Sequence, residues 1–109
     1  HHGNYWSATP PEKRVEFNVD SNSSDDHDNI WEIAPEKTIE FMKGVTTPWI
    51  AFKVLAAGAI HPSSGFQYAF ENGADFICVG MFDFQIRENA IIARNAVAAC
   101  QNRPRPWRA

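Results

Sequence analysis

The strongest constraint on the fold is a pair of apolar segments, residues 49–57 and 75–82, whose starts lie 26 residues apart. The first, "WIAFKVLAA", and the second, "DFICVGMF", are nearly continuous apolar runs, which are typical of strands in a sheet covered on both faces. The residues between them carry a helical pattern. A strand, a helix and a second strand joined by short connections predict βαβ organisation with a parallel sheet.

Three segments predict helices around these strands. The first begins at Pro35 and ends at Gly44, because proline suits the first helical position and glycine commonly ends a helix. The second covers residues 64–72 and the third runs from about 86 to 101. The predicted buried faces, in chain order, are Ile39, Phe41 and Met42; Phe66, Ala69 and Phe70; and Ile91, Ile92, Ala96, Val97 and Cys100.

The spacing between the strands is close to one βα unit of a TIM barrel, which needs about 250 residues in all. We therefore predict an α/β fold: the C-terminal fragment of a TIM (β/α)8 barrel, with an open doubly wound sheet as the alternative. The opening "HHGNYW", with neither an initiator methionine nor a signal-like segment, adds to this interpretation. Residues 1–109 then form one partial domain: an irregular loop region 1–34, βα units 35–102 and a basic tail 103–109.

The N-terminal region predicts little regular structure apart from a short strand at residues 16–19. The polar loop "DSNSSDDHDN", residues 20–29, suits a long loop over the active face of a barrel. Its acidic run does not match a calcium-binding loop, because the sixth position is Asp25 instead of glycine and the twelfth is Trp31 instead of glutamate. We predict a solvated acidic loop and no metal site.

Composition narrows the classes of partner. A net charge of −3 gives no basic excess for a nucleic-acid surface, and no apolar run reaches the ~18 residues of a membrane span. The tail "RPRPWRA" is basic but short, and we expect it to be solvated. Cys78 and Cys100 have neither CxxC nor metal-ligand spacing and predict buried thiols rather than a disulfide. A small-molecule substrate is the expected partner.

A lysine inside the first apolar segment is the main candidate for chemistry. Strand alternation places Lys53 with Trp49, Ala51 and Leu55 toward the barrel lumen, and the opposite set under helices: Ile50, Phe52, Val54 and Ala56. A lysine in the lumen is costly unless it is paired or open to the mouth. Lys53 is either a structural lysine paired with a carboxylate of another strand, or a catalytic group: an active-site cation or a Schiff-base amine.

Glycines at the ends of both strands indicate a binding edge. Gly58 follows the first strand and Gly80 lies in the second, at equivalent places in consecutive units. Glycine lets a ligand approach the backbone, and barrels often bind phosphate at the loops after their last strands. Tight βα turns are the alternative explanation.

In the opening segment, His1 or His2 is a candidate ligand or general acid at the same mouth, and we select His2. A purification-tag remnant is the other interpretation of these histidines.

The segment "PWIAFKVLAAGAIHPSSGFQYAFENGADFICVGMFDFQIRENA" resembles the last two strands of (β/α)8 barrels, and within them the tail of aldo-keto reductases and their uncharacterised relatives. The matching residues are Lys53, Gly58, Gly80, Gln85, Glu88 and Asn89. The resemblance implies an NAD(P)-dependent oxidoreductase, with the loop and helix start holding the adenosine phosphate of NADP. The family's catalytic Asp, Tyr, Lys and His belong to earlier strands, which the resemblance places outside this chain with the rest of the barrel.

A second resemblance, carried by Lys53, Gly58 and Ile60, is to class I aldolase barrels. It implies an aldolase or isomerase that grips a phosphorylated substrate. A barrel that has lost catalysis and serves as a binding module is the third alternative.

Overall fold

The computed structural model describes residue 32 and residues 34–109. The strand predicted at 16–19, the polar loop 20–29 and His2 lie outside the described residues. The described elements, in chain order, are α1 (Pro35–Lys43), β1 (Ile50–Phe52), a 3₁₀ turn (Ala56–Gly58), α2 (Pro62–Glu71), β2 (Phe76–Cys78), a 3₁₀ turn (Asp83–Gln85) and α3 (Ile86–Ala99).

The two strands are parallel neighbours, as the sequence predicts. Ile50 lies opposite Phe76 and Phe52 opposite Cys78. The α/β class is therefore confirmed for the described residues, where the sheet has two strands. Both strands are shorter than predicted, and β1 ends early because Lys53 adopts a positive φ of 57°, which a strand does not accommodate.

The second predicted helix is confirmed as α2, which begins at Pro62, two residues before the predicted start, and ends at Glu71. Pro62 occupies its first turn, and the Nδ1 atom of His61 accepts a hydrogen bond from the backbone N–H of Ser63 at 3.3 Å. Asn72 is the C-cap, and Gly73 follows it with a φ of +109°, a conformation that other residues rarely adopt. The Asn-Gly pair therefore ends the helix within one residue of the predicted position.

The core lies between α2, α3 and one face of the sheet. Phe66 and Phe70 of α2 are buried against Ala96 and Cys100, as the helical pattern predicts. Ile77 of β2 packs against this cluster and so defines the covered face of the sheet. Burying two phenylalanine side chains contributes roughly 2–3 kcal/mol each, so this contact is a principal source of stability.

Two of the predicted buried helix positions are wrong. Phe41 of α1 is 74% exposed and Ile91 of α3 is 54% exposed. Helical periodicity identifies an apolar stripe, but the width of the stripe that is covered depends on how many neighbours pack on it.

The assignment of strand faces is also wrong. Ala51 lies opposite Ile77, so these two residues share the face that α2 and α3 cover. Ile50 and Phe52, predicted to lie under helices, are 60% and 65% exposed. Alternation separates a strand into two faces, but it does not say which face meets the helices when both are apolar.

The C-terminal tail is not fully solvated as predicted, because Arg103, Arg105 and Trp107 pack against the rest of the chain. Asp75, immediately before β2, is fully buried in its side chain and forms ion pairs of 2.7 Å with both Arg103 and Arg105. Its two oxygens also accept hydrogen bonds from the backbone N–H groups of Trp49 and Arg108. A buried carboxylate needs such partners, and the nearest available cations are those of the tail.

Arg105 extends this cluster to the rest of the amino-terminal edge of the sheet. Its side chain is 1% exposed, and its guanidinium donates to backbone carbonyl oxygens as well as to Asp75. The accepting carbonyls belong to Met42, Val45, Thr47 and Gly73. One side chain therefore joins the end of α1, the connection to β1 and the start of β2.

Among the described helices, none combines the length with the apolar composition that crossing a bilayer requires.

Candidate functional site

A pocket of ≈ 740 Å³ opens where β1 and β2 end. Because the strands are parallel, their carboxyl ends meet at one edge, which is where α/β sheets bind ligands. The predicted site residues that line this pocket are Lys53, Gly58, Gly80, Gln85 and Asn89. The structure therefore brings together residues that are up to 36 positions apart in the chain, from 53 to 89.

Lys53 lies at the rim of the pocket, directly after β1, and not within a strand as predicted. It is exposed, and its backbone is in the left-handed region. This left-handed backbone at Lys53 ends β1, so the chain leaves the sheet directly after Phe52. Lys53 therefore belongs to the loop that borders the pocket, where a charge keeps its hydration.

The loop from Lys53 to Gly58 holds an unusual run of positive φ angles. Ala56 and Ala57 have φ values of 47° and 52°, and Gly58 has 91°. For a residue other than glycine this conformation costs about 1 kcal/mol or more. Backbone strain of this kind clusters at ligand-binding and active sites, so the loop is a functional candidate on conformational grounds as well as by position.

Close packing beneath this loop holds it in place. A Cβ atom at Gly65 of α2 would lie 2.8 Å from Leu55 Cδ2 and 2.9 Å from the carbonyl oxygen of Val54. The start of α2 therefore approaches the loop more closely than any side chain would allow. Ala56 and Ile60, both buried, complete this support.

The second wall of the pocket is the connection from β2 to α3. Gly80 leaves open space: a Cβ atom there would have no neighbour within 4 Å. The backbone N–H of Phe82 donates to Gln85 Oε1 at 3.0 Å, which fixes the 3₁₀ turn. Asn89 is 6% exposed and its Nδ2 donates to the sulfur of Met81 at 3.6 Å. Gln85 and Asn89 thus shape the wall in addition to lining it.

One predicted residue of the described chain does not join this site. Glu88 is exposed on α3 and does not line the pocket. In the first turn of a helix a carboxylate interacts favourably with the positive end of the helix dipole, which accounts for Glu88 without a ligand.

Sequence reasoning missed the aromatic side chains of the pocket. Phe52 and Phe82 both line it and are 65% and 69% exposed. Phe82 stacks on Phe84, with ring centroids 5.5 Å apart and an interplanar angle of 8°. Their signal in the sequence was aromatic residues at the two strand ends, next to the candidate lysine and glycine.

The cysteines differ from each other more than predicted. Both are free thiols, as expected, but Cys78 is exposed at the end of β2 and lines the pocket, so its predicted burial is wrong. Cys100 is buried, and desolvation together with the nearby charge of Glu71 raises its pKa.

Within residues 32 and 34–109, no group of three or more His, Cys, Asp or Glu side chains is placed to hold a metal ion. Comparison with protein-family models, with curated proteins and with solved structures returned no match to this chain. The site must therefore be interpreted from its own geometry.

Proposed function

We propose that this chain forms the C-terminal βα units of a TIM-type barrel enzyme, and that its pocket binds the phosphate group of a small molecule. One observation carries the proposal: the carboxyl ends of two adjacent parallel strands meet at a pocket that is bordered by Lys53, Gly58 and Gly80. A cation beside two glycines suits an anion, because a glycine has no side chain to block the approach of a ligand to the lysine.

The exposure of Lys53 favours anion binding over Schiff-base chemistry. A lysine becomes a good nucleophile when it is desolvated or lies beside another cation. Lys53 is exposed, and the other charged side chains of the described chain do not line the pocket. We therefore assign Lys53 the role of a phosphate-binding cation.

The uncovered face of the sheet supports the barrel. Ile50 and Phe76 are 60% and 48% exposed on the face opposite α2 and α3. In a TIM barrel this face points to the lumen, where side chains of the other strands fill the space. An apolar face of this kind suits a sheet that continues into further strands.

Two enzyme classes place a phosphate here. An aldolase or isomerase would bind its phosphorylated substrate, and the presence of Lys53, Gly58 and Ile60 on one pocket favours this class. An NADP-dependent oxidoreductase would bind its cofactor, and the presence of Gly80, Gln85 and Asn89 on the same pocket favours that one.

Titration with inorganic phosphate, followed by NMR chemical shifts, tests the proposal. A charge-assisted hydrogen bond is worth about 1.5–3 kcal/mol, so Lys53→Gln should weaken phosphate binding by roughly tenfold or more. Lys37→Gln on α1 removes the same charge away from the pocket and should leave the affinity unchanged. Equal effects of both variants would mean that only net charge matters, and the assignment of the pocket would be abandoned.

NADPH fluorescence separates the two classes. An enhancement on titration that Lys53→Gln weakens supports the oxidoreductase, whereas phosphate binding without a response to NADPH supports the aldolase or isomerase. Binding without turnover of any carbonyl or sugar-phosphate substrate would indicate a barrel that serves as a binding module.

A further inference from the structure

Two exposed aromatic rings border the pocket from consecutive βα units. Phe52 is the last residue of β1, adjacent in sequence to Lys53, and Phe82 follows β2. Exposed fractions of 65% and 69% are high for phenylalanine, whose burial contributes roughly 2–3 kcal/mol. Rings held in water at a concave site, beside a cation, fit a ligand that covers them.

We propose that the ligand of this pocket carries a flat aromatic ring beside its phosphate, with the ring on Phe82 and Phe52 and the phosphate at Lys53. This proposal rests on the proposed function and adds the chemical class of the ligand to it. A phosphorylated sugar or aliphatic acid would gain only apolar contact from the two rings, whereas a flat aromatic group would also gain from stacking.

Stacking within the protein preorganises one of these rings. Phe82 lies nearly parallel to Phe84, at an interplanar angle of 8° and a centroid distance of 5.5 Å. Offset stacking at this separation is a favourable geometry, and it holds the Phe82 side chain in a defined orientation. Phe84 covers part of one face of Phe82, and the remaining surface is open to a third ring.

The rest of the pocket agrees with a ligand of this size and polarity. Its volume of ≈ 740 Å³ lies within the range of about 300–1,000 Å³ that small-molecule sites occupy. Apolar side chains make up most of the lining, and the polar side chains among them are Lys53, Gln85 and Asn89. Such sites gain affinity from apolar contact and take orientation from a few polar groups.

The test compares phenyl phosphate with methyl phosphate, titrated into the chain and followed by NMR chemical shifts. Aromatic stacking should make phenyl phosphate bind about three- to tenfold more tightly. Phe82→Leu keeps an apolar side chain but removes the ring, and it should abolish most of this preference. Phe41→Leu is the matched control, because Phe41 is 74% exposed but lies on α1, away from the pocket.

Each outcome separates this proposal from the proposed function. If both phosphates bind with equal affinity and Lys53→Gln weakens both, the aromatic proposal is overturned and the phosphate site stands. If neither binds, both proposals are overturned. A preference for phenyl phosphate that survives in Phe82→Leu and in Phe52→Leu places the ring elsewhere and also overturns the proposal; both variants are first checked for wild-type amide spectra.

Discussion

Charged side chains have opposite environments at the two edges of the β1–β2 sheet: buried and ion-paired at one, exposed at the other. At the amino-terminal edge, Asp75 is buried and neutralised by Arg103 and Arg105, and the C-terminal tail closes over it. At the carboxyl edge, Lys53 stands exposed beside an open pocket. A buried ion-pair network with several hydrogen bonds stabilises the fold. A strained loop costs stability, and the exposed cation on it is available to a ligand.

We call the amino-terminal edge the closed edge and the carboxyl edge the open edge. The largest effect on stability is expected from removal of the carboxylate at the closed edge. Asp75→Ala leaves two buried guanidinium groups without their counter-ion, and breaking a buried ion pair in this way costs about 3–5 kcal/mol. We expect the midpoint of urea denaturation, measured by circular dichroism, to fall steeply.

Asp83→Ala is the control for this change. Asp83 is exposed near the carboxyl edge and accepts a hydrogen bond from the backbone N–H of Phe84. Its loss should cost less than about 1 kcal/mol. Similar costs for the two aspartates would contradict the division of the sheet into a closed and an open edge.

Substitution of one glycine at each edge compares how tightly the two edges are packed. At Gly73, which has a φ of +109°, a new Cβ atom would lie 3.0 Å from both Cβ and Cδ of Arg105. Gly73→Ala should therefore lower the free energy of unfolding by about 1–3 kcal/mol. Gly80→Ala meets open space and should change it by less than about 0.5 kcal/mol. Thermal denaturation of both variants measures the difference, and a larger loss at Gly80 would refute it.

Acid should weaken the closed edge selectively. Burial alone would raise the pKa of Asp75, but hydrogen bonds from Arg108, Trp49, Arg105 and Arg103 outweigh it and lower the pKa from 3.8 to about 2. Because the folded pKa lies below the unfolded one, the stabilisation is complete above about pH 5 and is lost as the pH falls from about 4 to 2.

This shift corresponds to about 2 kcal/mol. Urea denaturation at pH 5 and pH 2.5 should show the loss, and Asp75→Asn should reduce it. An Asp75→Asn variant with the full acid dependence of the wild type would assign the effect to other carboxylates.

The smallest expected effect on stability comes from modification of the open edge. Cys78 is exposed at the pocket, whereas Cys100 is buried in the core with a raised pKa. Iodoacetamide should label Cys78 many times faster, because a buried, protonated thiol reacts slowly. Mass spectrometry of the peptides measures both rates, and wild-type unfolding after single labelling is expected. Faster labelling of Cys100 would mean that the core around it is accessible to the reagent, which would contradict the prediction.

The helices and the order of elements were largely predictable from the sequence. Pro62 and the Asn72-Gly73 pair mark the ends of α2 by local backbone chemistry, and Phe66 and Phe70 repeat with the helical period. Several residues of the pocket followed from the same reasoning, because parallel strands bring Gly58 and Gly80 to one edge. The barrel itself stays a prediction.

The wrong predictions concern features that depend on which residues pack nearby, such as the covered face of a strand. Lys53 predicts a lumen face, but β1 ends at Phe52, and residues 49–52 are apolar on both faces. The left-handed turn at Lys53 gives no local signal, since neither glycine nor asparagine stands there.

The tail shows the same limit over a longer distance. Arg105 meets Asp75 across 30 residues and the carbonyl oxygen of Met42 across 63. The sequence alone determined the three helices to within about two residues, because these depend on local propensity and periodicity. It also indicated the parallel strands, because a helix that joins two strands favours that pairing. Only the tertiary structure decided which charges are buried, which face is bare and where the pocket opens, because burial depends on residues that are distant in the chain.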